Sequence, residues 1–517
     1  MPRMPTSSPS APGLDRRVAL WLFVAALGFF ALTTGAERPW GDGDTQFRLA
    51  ERLYTQARVD LPGATGRYLF RGPDGWHYST FDLGIALSLG PSVAAVTLLA
   101  PDRRDELTWA FAHRASNTLW AAVAVVLVFL VARALSFERR PAVLAAALSA
   151  VATQLWPYAH SDFSEVYQTC AVLAVVLGTL RFAEAPTRAR AVVLGCVCGH
   201  AVLAKVTHWA LAPVVLGFLW SQVHLRAPAV RGRYLEAALA FLPFAAVTLG
   251  YNVLRTGTLL GTGRQMDHFE TPMNGSLLVG LYGLLFSAGK GVFLFNPILI
   301  GSALSLPAFL RARGARGVFV LACGAVLTLV YARYVFWHGA WSWGPRFLTA
   351  VVPLFVLPLL DWPRPLSRWS RGLGAAVLAL SISVQVLGGA FYEGHHIHVN
   401  NAVRRVVLGK SAREGCGHCH ENHWPTHFVP ELSAIPVHLW LLRGALESPD
   451  DATYRAMAPW AYSVPDEVNA KIELKRPELD YLAFRPRAWA HPTLAALLVL
   501  AAAAVALGAV RLRRLLR

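Results

Sequence analysis

Apolar runs of 15 to 20 residues, broken by short polar connections, organise this chain from end to end. Lipid offers no partner for backbone N–H and C=O groups, so a run of roughly 20 apolar residues in bilayer must form a helix. Twelve runs qualify: 18–35, 115–132, 141–158, 166–182, 190–205, 208–225, 235–254, 292–310, 317–335, 347–361, 372–391 and 491–510. Two further runs, 83–100 and 275–289, fit as spans or as short helices lying at the membrane surface. No internal repeat stands out.

Composition agrees with the pattern. The chain has 517 residues, 55% hydrophobic and only 15% charged, with mean hydropathy +0.42. A soluble domain needs more charged surface than this. The net charge of +17 would suggest nucleic acid in a soluble protein. Here the arginines sit in short loops between apolar runs, and nucleic acid is not expected as a partner.

Arginine placement decides the ambiguous runs. With 83–100 and 275–289 left out and a cytoplasmic N-terminus, alternate connections collect the arginines. These connections hold Arg133, Arg139 and Arg140; Arg181, Arg188 and Arg190; Arg226, Arg231 and Arg233; Arg311, Arg313 and Arg316; and Arg364, Arg368 and Arg371. The tail adds Arg511, Arg513, Arg514 and Arg517. All obey the positive-inside bias. The expected fold is an all-α polytopic bundle of about twelve transmembrane helices in a cell inner membrane, with both termini cytoplasmic. Residues 1–17 form a disordered cytoplasmic start, and Val18–Gly35 behind Arg16 and Arg17 reads as a signal anchor. Residues 18–391 make the main transmembrane region, 392–490 an extracytoplasmic loop or lid, and 491–517 the last span with a basic tail.

The same topology puts the reactive side chains on one face. The first outer loop opens Gly41-Asp42-Gly43-Asp44, and Asp44, Phe47, Ala50 and Leu53 recur every three residues. Locally, Asp44 reads as the N-cap of a short helix and Asp42 as a turn residue. Tyr78 leads toward the surface helix at 83–100. The second outer turn carries His160, Asp162 and Glu165, three ionisable groups at a membrane boundary, costly there unless they meet water or one another. The third outer segment holds Arg264, close in sequence to Asp267, and Lys290, with no acid nearby in sequence. The fourth reads Trp343-Gly344-Pro345-Arg346-Phe347. An arginine at the outer end of a span runs against the positive-inside bias, so Arg346, and likewise Lys205, calls for an anion to hold. A lipid-linked phosphate suits such a face: its tail needs bilayer, its phosphate needs cations, and its head group needs a polar cavity.

At these residues the chain resembles the multi-span GT-C glycosyltransferases, the group that includes protein O-mannosyltransferases and the lipid A aminoarabinose transferase. The motifs are Asp44-x-x-Phe47-x-x-Ala50-x-x-Leu53, Tyr78-Ser79 with Gly84, and Trp156-Pro157-Tyr158 through Glu165. Tyr251-Asn252 with Gly257, Leu285-Phe286-Ser287 through Lys290-Gly291 with Asn296-Pro297, and Trp343 through Phe347 complete the ordered set. The resemblance implies a GT-C-like bundle that moves a sugar from a polyprenyl-phosphate carrier to a lipid, glycan or protein acceptor outside the cytoplasm. It implies an aspartate of the first outer loop as general base, Asp44 first and Asp42 second. Better-known members place a glutamate beside that aspartate; here the neighbour is Thr45. Arg346, Lys290 and Lys205 are the phosphate candidates, with Arg264, Tyr78, Asp162, Glu165, His160 and Trp343 around the substrate.

Such a transfer requires no cofactor. One motif nevertheless points elsewhere: Cys416-Gly417-His418-Cys419-His420 has the C-x-x-C-H spacing of covalent haem attachment. Cys416, Cys419 and His420 also suit a divalent metal, and the two cysteines alone a local disulfide. A haem-bearing redox protein and a transporter or flippase of lipid-linked sugars are the rival classes. Against transport, most charges lie at span ends rather than mid-membrane.

Overall fold

The computed structural model describes residues 12–38, 41–62, 68–263, 273–339, 342–362, 367–392, 395–396, 399, 403, 427–462, 464, 466–472 and 476–517. Arg264, Cys416, Cys419 and His420 lie outside the described residues. The described chain is overwhelmingly helical, and the chain is a multi-pass membrane protein. Among the described residues, six helical stretches are long and apolar enough to cross a membrane: Glu106–Ala134, Glu165–Glu184, Pro228–Thr256, Ile298–Arg333, Arg368–Ala390 and Pro492–Leu515. The remaining expected spans appear as shorter or interrupted helices. Pro12–Leu32 carries Asp15, Arg16 and Arg17 in its opening turns. Arg139–Val151 breaks before Leu155–His160, Arg188–Ala204 is 17 residues long, and Leu211–Ser221 continues a 3-10 turn.

The 36-residue stretch Ile298–Arg333 is two helices, not one. Gly314 adopts φ 51°, a left-handed conformation that side-chain-bearing residues avoid. Leu299 and Leu306 line the same cavity as Leu321 and Leu329, so the chain turns back at Gly314. Elsewhere glycine lets helix backbones touch, as membrane helices require. Gly28 lies against the Ala501 carbonyl, joining the first helix to the last, and Gly195 lies against the Ala237 carbonyl.

Two features depart from the all-α expectation or refine it. Leu69–Arg71 and His77–Ser79 pair as an antiparallel hairpin with Phe70 opposite Tyr78. The run 83–100 splits into Leu83–Ser88 and Gly90–Leu99. Its Ala86, Leu89, Val93 and Val96 pack on Phe47, Leu49, Ala50 and Trp109 in a core of its own. Another small core gathers Val437, Trp440, Tyr454, Trp460 and Tyr481 with Ala390 and Phe391.

Candidate active site

The helix Asp42–Gln56 begins one turn earlier than its periodicity suggests. Gly41 is its N-cap, with φ 71°, and no side chain caps it. The capping role expected of Asp44 is therefore corrected: Asp44 lies inside the first turn, partly exposed, and pairs with Arg48 at 2.8 Å. Asp42 and Gly43 face inward and are buried.

Asp42 meets Arg346 there. The Arg346 guanidinium donates from Nη2 to Asp42 Oδ2 at 2.8 Å and from Nε to Glu165 Oε1 at 2.7 Å. Its plane lies 3.9 Å from the Phe163 ring centre. Asp42, Glu165 and Arg346, separated by up to 304 residues in sequence, form one buried bidentate clamp.

Buried amides hold the clamp in place. Arg346 opens a 3-10 helix after Pro345, whose carbonyl accepts from Gln154 Nε2 at 3.0 Å. Gln154 sits in the break at 152–154 and exchanges hydrogen bonds with Asn296: backbone N to Oδ1 at 2.7 Å, and Asn296 Nδ2 to Gln154 Oε1 at 2.9 Å. The turn bearing Asp162 is pinned by Asn117, whose Nδ2 donates to the Ser161 carbonyl at 2.8 Å and the Phe163 carbonyl at 2.9 Å.

Beside the clamp opens a cavity of about 380 Å³, lined by Glu165, Arg346, Lys205, Asp82, Tyr331 and Phe347 among others. The Lys205 ammonium stands 4.6 Å from the Phe347 ring centre and 5.2 Å from that of Tyr331, within cation–π range. Two cations, two carboxylates and aromatic walls thus share one space. A second, smaller cavity lies between Tyr158, His160, Trp343, His396 and His438.

The remaining expected residues fall elsewhere. Lys290 is buried and donates to Ser342 O at 2.7 Å and Ser342 Oγ at 3.0 Å. Burial, and the Arg346 charge next, hold its pKa well below the ordinary lysine value. Tyr78 donates to Asp74 within the hairpin at 2.6 Å. Asp162 is buried beside Gly43, where a Cβ would overlap its carboxylate. Trp343 packs against His438 with ring centres 4.8 Å apart and planes tilted by 40°, on the smaller cavity.

His160 is occupied too. Its Nε2 lies 2.8 Å from Asp480 Oδ2 and its Nδ1 2.6 Å from the Thr33 carbonyl. Asp480 also accepts from the Ala36 and Glu37 amides at 2.9 and 2.7 Å. One fully buried carboxylate from the far end of the chain therefore ties the turn of Asp162 to the segment leading into Asp42. Burial raises the Asp480 pKa, but His160, Arg114 and the Glu37 amide outweigh it and hold it below the usual carboxylate range. A depressed carboxylate stabilises the fold above its unfolded pKa, and that contribution is lost as pH falls through the folded value. Asp480→Ala should cost about 3–5 kcal/mol near neutral pH, as expected when one partner of a buried pair is removed. Thermal unfolding checks this; an unchanged midpoint would mean the latch carries no weight.

Arg114 and Arg255 are buried site residues that the motif reading passed over. Arg255 donates to Phe81 O at 2.8 Å and Ser79 O at 3.2 Å, and its Nη2 reaches Asn252 Oδ1 at 3.0 Å and Asp82 Oδ1 at 3.3 Å, fixing one rim of the cavity. Both arginines flank expected spans on the outer side, so the argument that singled out Arg346 would have found them. Among the described residues, no group of three or more His, Cys, Asp or Glu stands ready to hold a metal.

Residues 108–250 match the family model described as dolichyl-phosphate-mannose-protein mannosyltransferase. That segment contains Arg114, His160, Asp162, Glu165, Lys205 and the start of the cavity wall. No curated protein sequence matches the chain. Among solved structures, ArnT from Cupriavidus metallidurans in the apo state is similar at 15% identity, covering 88% of this chain and 75% of that one, with TM-score 0.47. The same protein bound to undecaprenyl phosphate gives 14% identity, 95% and 77% coverage, and TM-score 0.45. The archaeal oligosaccharyltransferase AglB from Archaeoglobus fulgidus, in complex with an inhibitory peptide and a dolichol-phosphate, gives 15%, 80% and 60%, and TM-score 0.45. The segment 108–250 is therefore similar to the dolichyl-phosphate-mannose-protein mannosyltransferase family, in keeping with the resemblance that the motifs carry.

Proposed function

We propose that this chain moves a sugar from a polyprenyl-phosphate carrier to a lipid, glycan or protein acceptor on the extracytoplasmic face of a cell inner membrane. The observation that carries the reading is the Arg346 clamp, which grips Asp42 and Glu165 while facing a cavity shared with Lys205. Asp42 is the general base: it takes the proton of the acceptor as the acceptor atom bonds to the anomeric carbon. The carbon–oxygen bond to phosphate breaks, and its electron pair leaves on the carrier. Lys205 and the remaining N–H groups of Arg346 stabilise the charge that develops there. A single base suffices because the phosphate is already a good leaving group.

Asp42 is preferred to Asp44 because it touches the clamp, whereas Asp44 pairs with Arg48 at the surface. Lys290 and Asp480 act as supports, one for the Ser342 loop and one for the two acidic segments. The transfer needs no metal or haem. The reading is tested by native mass spectrometry of the purified protein with undecaprenyl phosphate and with undecaprenol. A phosphate-dependent adduct is expected, weakened in Lys205→Ala; equal binding of the alcohol would sink the assignment of the cavity.

The sidedness is proposed from the arginine pattern, with both termini cytoplasmic and 392–490 outside. Alkaline phosphatase fused after Ser448 should be active and after Ser136 silent. The reverse pattern contradicts the topology.

A further inference from the structure

Around the start of the helix Asp42–Gln56 lies a ring of buried polar atoms without a protein partner among the described residues. They are Thr34 Oγ1, Gln46 Nε2, Arg114 Nε and Nη2, both carboxylate oxygens of Asp162, and Glu165 Oε2. The residues that carry them lie on segments that meet here. Gly43 abuts Asp162, and Gln46 lies one turn further along the same buried face. Gly35, next to Thr34, approaches Arg114 Nε, His160 Nε2 and Asp480 Oδ2 closely enough that a Cβ would sit 3.0 to 3.1 Å from each.

Buried polar atoms in folded proteins are almost always bonded, so a cluster of exceptions needs a cause. Donors and acceptors are mixed here, and the ligand that satisfies both is water. The three carboxylates of the cluster also differ in kind. Asp42 and Glu165 each accept an arginine N–H at 2.7 to 2.8 Å. Asp162 accepts no side-chain hydrogen bond and only its own backbone amide opposes protonation locally, so a proton delivered to the cluster is held best on the carboxylate that no arginine grips.

We propose that Asp162, reached from Asp42 through internal water, is the terminal store for the proton that the acceptor gives up. The inference rests on the glycosyl-transfer reading and adds a relay residue behind the base. In each turnover the acceptor O–H or N–H bond breaks and the new bond to the anomeric carbon forms. The bond to the carrier phosphate breaks with its electron pair, and the proton passes from Asp42 to Asp162, to be released before the next cycle. Asp162 lines neither cavity and does not touch the substrate space.

The electrostatics agree. Burial pushes the Asp162 carboxyl up to about 6; Arg114 pulls against it, Asp42 adds to the rise, and Arg346 pulls against it as well. Those three groups face Asp162 from the helix Asp42–Gln56, from the start of the span at 115 and from the 3-10 helix at 346. Glu165 stands on its own side behind Arg346, and His160 with Asp480 closes the far side of Arg114. With a folded pKa above the ordinary carboxylate value, the folded state binds more protons than the unfolded one between about pH 4 and 6. Stability should fall as pH rises through that window.

The test is an infrared difference titration of the purified full-length protein in detergent between about pH 5 and 8. The wild type and Asp42→Asn should both show one carbonyl band of a protonated buried carboxylic acid that is lost at the upper pH. Asp162→Asn should lack the band, and its thermal midpoint should gain on the wild type at pH 8 but not at pH 4. In turnover, Asp162→Asn should lower kcat by at least about tenfold with unchanged donor KM, and should flatten the acid limb near pH 6. A band that survives in Asp162→Asn, or an unaltered pH profile, overturns the proposal. If Asp162→Asn fails to fold, the wild type decides: no carboxyl titrating in this window overturns it too. The titration needs no sugar donor, so the two failures are distinguishable: an active chain without the band defeats the store alone, whereas a chain that shows the band yet transfers nothing defeats the transferase reading and the store's role with it.

Discussion

Replacing Asp42 with Asn should lower sugar transfer by about 10²–10⁴-fold, the usual contribution of a positioned general base. The amide keeps the shape of the carboxylate and can still accept from Arg346 through its oxygen, so the clamp and the fold should survive. Membrane insertion and the thermal midpoint therefore serve as controls. Asp44→Asn makes the contrast, because it removes only a partly exposed i,i+4 pair with Arg48. Such a pair is worth a few tenths of a kcal/mol. Transfer in that variant should stay within about twofold of wild type, since no contact with the clamp is lost. An inactive Asp44→Asn beside an active Asp42→Asn would reverse the assignment of the base.

Arg346 should be the second most sensitive position, for two separable reasons. Its guanidinium neutralises Asp42 and Glu165, and truncation to Ala would leave two buried carboxylates facing each other. Arg346→Ala is thus expected to be unstable, by about 3–5 kcal/mol, as well as inactive. Arg346→Lys is the more informative variant. A lysine keeps the charge but cannot reproduce a planar fork that reaches two carboxylates and still faces the cavity. It should fold, lose about 10²–10³-fold in kcat/KM as when a charge-stabilising donor is removed, and recover part of its rate at high donor concentration. Normal donor dependence in Arg346→Lys would mark the arginine as purely structural.

The comparison of sequence and structure is instructive at particular residues. The helical runs were legible because lipid leaves backbone groups no alternative, and every expected span from 115 to 391 contains helix. Arg346 was legible because an outer arginine beside an apolar run is out of place, and the structure gives it two carboxylate partners. The N-cap was misplaced at Asp44 because a three-residue apolar periodicity shows which face is buried but not where the helix begins. The left-handed Gly41 moved that start, and with it the inward-facing carboxylate, to Asp42. Asp480 carried no local signal: it reaches Ala36 across 444 residues, and nothing near it in sequence reports that contact. Tyr78 was placed near substrate by the family motif; the structure pairs it with Asp74 in a hairpin whose three-residue strands are too short to leave a pattern in the sequence. The C-x-x-C-H segment lies outside the described residues, and a haem stain on the denatured protein after co-expression with a cytochrome c maturation system decides its chemistry. A positive stain would establish haem there, and a negative one would end that alternative.

The central claim is that this chain adds a sugar to a molecule of the cell envelope, using Asp42. Mass spectrometry of envelope lipids and glycans tests it most directly, in cells lacking the gene and in the same cells carrying either the wild type or Asp42→Asn. The account predicts a species heavier by one sugar residue in wild-type cells. That species should be missing from the deletion strain, restored by the wild-type gene and not restored by Asp42→Asn. Identical lipid and glycan profiles in all of these strains would contradict it.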